Sequence, residues 1–65
     1  MSMDYNQATL YAAKGYTLIL PGWHGYFKWD FQKKELYFQD KDYYLSEEQL
    51  KEKGVRERKD WYYII

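Results

Sequence analysis

Sixty-five residues allow one small domain, residues 1–65, and with no cysteine the chain cannot build a disulfide framework, a cysteine-ligated zinc or iron–sulfur site, or a thiol nucleophile. Ten Lys plus Arg balance ten Asp plus Glu, so the sequence-independent phosphate attraction that carries duplex binding is missing, and nucleic acid is not the expected partner. Half of the 46% apolar share is aromatic, nine Tyr, three Trp and three Phe against ten Leu, Ile and Val. That is more ring than one miniature core can bury, so some rings are expected at an interface and the chain is expected to be a homo-oligomer.

The first residues, Met1-Ser2-Met3-Asp4, carry neither a basic nor an apolar targeting region, and the apolar run Leu18–Leu20 is broken by Pro21. A cytoplasmic protein without membrane association is expected. Asp4 with Gln7 three residues on is a capping box, and Tyr5, Ala8, Thr9, Ala12 and Ala13 recur at helical spacing, which predicts a helix over about 5–14 stopped by Gly15. Tyr16 to Leu20 reads as a strand ended by Pro21-Gly22. From Tyr26 to Phe31 the residues Phe27, Trp29 and Phe31 alternate with Tyr26, Lys28 and Asp30, the period of a strand with one buried face. Gln32-Lys33-Lys34 makes a polar hairpin connection into a third strand over 35–39, with Leu36 and Phe38 on one face and Tyr37 on the other.

Asp40-Lys41-Asp42 turns the chain, and Tyr43 to Leu45 forms either a short strand or a cover for the core. Ser46 and Gln49 make a second capping box, Glu47 and Glu48 sit where the helix dipole favours anions, Leu50 is the apolar anchor and Gly54 the stop. A terminal strand is predicted over 61–65. The fold class is therefore α+β: an N-terminal helix packed on a small antiparallel sheet, with a second short helix before the C-terminal strand.

Little in the chain equips it for catalysis. His24 is the only histidine, and the two serines lie at the N-terminal end and at a helix cap, so no Ser–His–carboxylate set forms. One histidine makes no transition-metal site, and neither metal nor cofactor is expected. Two segments have binding chemistry. In Pro21-Gly22-Trp23-His24-Gly25 two glycines flank a large ring, which either presents a plane for stacking or folds back over the core; His24 is either a contact or a solvated turn residue. Arg56-Glu57-Arg58-Lys59-Asp60-Trp61 combines guanidinium for phosphate, carboxylate for ribose hydroxyls and an indole for a base, or is simply a solvated charge run.

With Gly15 through Gly-Trp-His-Gly at residues 22–25 and Asp60-Trp61-Tyr62 near the end, the chain resembles the second type of Thoeris anti-defence protein, a group of small phage-encoded domains. It departs from that group at His24, where Asn is more frequent, and in the short span between the two motifs. The resemblance implies a sponge that holds a cyclic nucleotide immune signal, either an NAD-derived cyclic ADP-ribose isomer or a cyclic dinucleotide, in pockets between subunits and without altering it. Matching positions carry ligand contacts over to Trp23, Asp60 and Trp61. His24, Tyr26, Arg56 and Arg58 join the candidate site by their chemistry. The alternative expectation is a phage inhibitor, like those of CRISPR effectors, that binds a host defence protein through its aromatic surface.

Overall fold

Two capping boxes start the two helices of the computed structural model, which describes residues 2–65; of the expected unit 1–65 only residue 1 lies outside. Asp4 accepts from the Gln7 backbone N–H at 2.9 Å while the Gln7 side chain accepts from the Asp4 N–H at 3.1 Å, which satisfies two of the orphan donors of helix α1, Tyr5–Ala13. Ser46 and Gln49 repeat the exchange at helix α2, Glu47–Lys51. The chain leaves α2 through Gly54, whose φ of 75° favours a residue without Cβ, into a single 3-10 turn at Val55–Glu57.

Between and after the helices lie five strands: β1 Thr17–Ile19, β2 Tyr26–Asp30, β3 Glu35–Gln39, β4 Tyr44–Leu45 and β5 Tyr62–Ile64. They form one antiparallel sheet in the order β4-β3-β2-β1-β5, so the C-terminal strand returns to lie beside β1. Register is fixed by apolar pairs: Phe27 faces Phe38, Trp29 faces Leu36, and Leu18 lies between Phe27 and Tyr63. The expected α+β architecture, with its N-terminal helix, antiparallel sheet and second short helix before the last strand, is the one observed.

Both helices cover the same face of the sheet. They are joined by the Tyr5 hydroxyl, which donates to Glu47 at 2.9 Å, and between helices and sheet lie Ala8, Ala12, Leu18, Leu20, Phe27, Leu36, Phe38, Leu50, Val55 and Trp61. Trp61 is wholly buried, edge-on to Phe27 and Tyr5, and its indole N–H donates to the Val55 carbonyl at 3.3 Å. Its backbone exchanges two hydrogen bonds with Met3, at 2.8 and 3.1 Å, which brings the N-terminal segment beside the last strand. At the far end of β5, Tyr63 stacks on Tyr11 with ring centroids 4.8 Å apart, and Tyr16 packs against both rings.

No helix among the described residues is long and apolar enough to cross a membrane.

Candidate functional site

The two segments with binding chemistry meet at one end of the sheet. Arg58 donates from Nε and Nη2 to the two carboxylate oxygens of Asp60, at 2.8 and 2.6 Å, and from Nη2 to the Pro21 carbonyl at 3.1 Å. A fork of this kind is pre-organised, so one planar group holds the β1–β2 loop against the strand leading into β5, across 37 residues of sequence. The Arg58 hydrogen bonds hold the Asp60 carboxyl below its ordinary range, and Asp60 in turn raises the guanidinium. The Nη1 amino group of Arg58 makes no hydrogen bond among the described residues and keeps two donors for a ligand.

Beside this clamp is a depression of about 670 Å³ lined by Ser2, Pro21, Asp60, Tyr62, Tyr63 and Ile65. It is open to solvent. Tyr62, which sequence reasoning did not single out, supplies its exposed aromatic surface. The signal was there: Tyr62 alternates with buried Trp61 in a strand, so one of the two rings has to face outward.

The other candidates are distributed. Trp61, expected as a contact, forms the centre of the core and offers no open face within the protomer. Trp23 is half-buried on Phe27 and Phe38, with ring centroids 5.3 and 4.9 Å away. Its loop folds back over the end of the core, so of the two arrangements open to a glycine-flanked ring the structure has the packed one, and Trp23 is not free of the core. His24 is exposed, and with Gly25, Tyr26, Gln39, Asp40, Lys41 and Asp42 it lines a second open depression, of about 730 Å³. Asp40 is occupied there: its Oδ1 accepts from the Asp42 and Tyr43 backbone at 2.7 and 2.6 Å. Arg56 lies away from the clamp, its guanidinium 5.8 Å from the Tyr5 ring centroid and 3.8 Å from Glu47.

Tyr26, besides lining the depression beside His24, is part of a broader surface. Side chains that alternate with the core residues point to the uncovered face of the sheet, and the register sets them in rows. One row crosses all five strands: Tyr44, Gln39, Tyr26, Ile19 and Tyr62. The next holds Tyr37, Lys28, Thr17 and Ile64. Tyr26, Tyr44, Tyr62 and Ile64 keep 38%, 48%, 41% and 48% of their surface exposed, more than a covered sheet face would leave them. Tyr37 stacks on Tyr44 at 5.4 Å, and the Lys28 ammonium lies 5.8 Å from the Tyr26 ring centroid. Burial and the neighbouring Tyr26, Tyr44 and Asp30 push the Tyr37 hydroxyl up.

Among the described residues no group of three or more His, Cys, Asp or Glu side chains is placed to hold a metal ion. Compared with known proteins, the chain matches no family model, no curated protein and no solved structure.

Proposed function

We propose that the protein acts by binding and not by catalysis, holding a small cyclic nucleotide signal in the cytoplasm of a phage-infected bacterium. The observation that carries this reading is the Arg58 clamp. It joins the Gly-Trp-His-Gly loop to the Asp60 segment, the two parts of the chain on which the resemblance rests, beside an open depression. In this reading Tyr62 supplies a plane for a base, the Asp60 carboxylate accepts from ribose hydroxyls, and Arg58, which holds Asp60 beside the depression, has its Nη1 donors left for phosphate. Trp61 and Trp23 support the site from the core.

Magnitudes then require a second chain. A sponge effective at nanomolar signal needs about −12 kcal/mol. One stacked base contributes about 1–3 kcal/mol and each charge-assisted hydrogen bond about 1.5–3 kcal/mol where water is excluded. The clamp and one ring therefore fall short, and an open depression does not exclude water. Walls from a neighbouring copy close both gaps. Calorimetric titration with cyclic ADP-ribose isomers and cyclic dinucleotides, with linear ADP-ribose as control, is expected to show submicromolar binding that Asp60→Ala abolishes. Absence of any binding below micromolar sinks the reading.

A second reading is favoured by the tyrosine rows: an inhibitor that covers a host defence protein with its open sheet face. Capture of one stoichiometric host protein by a preparation that binds no nucleotide supports it.

A further inference from the structure

We propose that the depression between the β1–β2 loop and the β3–β4 turn binds a neutral saccharide, with one sugar ring seated against Tyr26. At about 730 Å³ it has the size of a small-molecule site. Its walls are held by the fold, so little ordering is left for a ligand to cause. Gly25 lies so close to the end of β3 that a Cβ there would come within 2.7 Å of the Gln39 carbonyl oxygen, the Phe38 ring and the Asp40 Cβ, and the loop is seated directly on the strand. On the other side Asp40 Oδ1 accepts from the Asp42 and Tyr43 N–H groups, and the Gln39 side-chain amide donates to the Asp40 and Tyr43 carbonyls at 3.0 and 3.2 Å. Tyr26 and Gln39 are register partners across β2 and β3, so they stand side by side between the loops.

The polar groups left free there decide the chemistry of the ligand. With its amide donors spent on two carbonyls, Gln39 offers Oε1, an acceptor, and Asp40 offers Oδ2. The Asp42 side chain makes no hydrogen bond among the described residues and offers both oxygens, while Lys41 donates and the Tyr26 hydroxyl can do either. A ligand that satisfies this set donates at several neighbouring points and accepts at others, as vicinal hydroxyls do. Two carboxylates against one ammonium make the lining net negative, so phosphate is repelled and an uncharged ligand is not. The Tyr26 ring, 38% exposed, adds an electron-rich plane for the polarised C–H groups of a sugar. Sugar binding here does not depend on what the Asp60 depression holds.

The test is a series of proton–nitrogen correlation spectra, with glucose, galactose, mannose and their disaccharides each added to about 50 mM, because a site open to solvent binds one sugar weakly. Saturable shifts are expected for at least one sugar at Gly25, the Gln39 side-chain amide and the Asp40–Asp42 backbone. Tyr26→Ala and Asp42→Ala, both at exposed positions, are expected to weaken that binding about tenfold or more, with a dispersed spectrum showing each still folded. Should Tyr26→Ala unfold, Asp42→Ala alone decides. Leu10→Glu, at an exposed position of α1, is expected to change nothing, and sodium phosphate to leave these signals in place. Absence of saturable shifts with every sugar, or shifts confined to other parts of the molecule, overturns the proposal. So does wild-type affinity in a folded variant of either kind, or phosphate binding at the same groups. Nucleotide binding is read separately by calorimetry, so failure of the sugar site and failure of the sponge reading are distinguishable.

Discussion

At single positions the structure separates side chains that look alike in the sequence. Trp61→Ala removes the largest wholly buried side chain and leaves the Val55 carbonyl without its indole donor, so a loss of about 3–5 kcal/mol is expected in denaturant unfolding. Trp23 is half-buried on two phenyl rings, and Trp23→Ala is expected to cost roughly 1–3 kcal/mol by the same measurement, a smaller loss because part of its ring already faces water. Gly25 is constrained by space and not by backbone conformation. A Cβ there would lie 2.5 Å from the Gln39 carbonyl oxygen and 2.6 Å from the Phe38 ring, so Gly25→Ala is expected to destabilise by about 1–3 kcal/mol through overpacking. The same substitution at Gly22 meets no neighbouring atom but a φ of 89°, and the strain there is conformational.

The elements show which rules of sequence reading hold locally and which do not. Both capping boxes, the Gly15 stop and the bounds of β3 were legible, because each is decided by residues within four positions of one another, whereas α2 ends at Lys51, three residues before the expected stop at Gly54. β1, expected from Tyr16 to Leu20, pairs only over Thr17–Ile19, since Tyr16 turns to the Tyr11 and Tyr63 rings and the Leu20 carbonyl accepts from Trp23 in the loop. What sequence could not supply was order across the sheet. Nothing local says that β5 lies beside β1, and that pairing is what aligns Tyr62 with Tyr26 and Tyr44 and carries Asp60 to Pro21. Likewise Arg56 and Arg58 are two residues apart with similar chemistry, yet the chain turns between them and only Arg58 reaches the loop. The β2–β3 turn holds Lys34 at a φ of 56°, a conformation that costs a side chain about 1–2 kcal/mol, so Lys34→Gly is expected to raise the melting temperature. The contact between helices is pH-sensitive. Burial, then the hydrogen bond to Glu47, pushes the Tyr5 hydroxyl up to about 12 from 10.0, so the folded state holds that proton more tightly than the unfolded chain. The stabilisation is whole below pH 10 and is lost as pH rises from 10 to 12, and Tyr5→Phe is expected to flatten the stability profile over that window.

For the molecule as a whole, the central fact is that Trp61 fills the middle of a core whose other walls are much earlier in the chain. Its ring touches Tyr5 and Phe27, and its backbone pairs with Met3, so the contacts that complete the core span most of the sequence. This has a consequence for how the protein is made. During synthesis α1, the β2–β3 hairpin and α2 leave the ribosome before Trp61, so Phe27 has its Trp23 and Phe38 neighbours but lacks the indole that closes the core over it. Long-range closure is slow relative to local structure, so folding is expected to wait for the last strand. A nascent chain stalled with Trp61 still in the exit tunnel is therefore expected to remain protease-sensitive, and one extended by about 40 residues of flexible linker to resist cleavage.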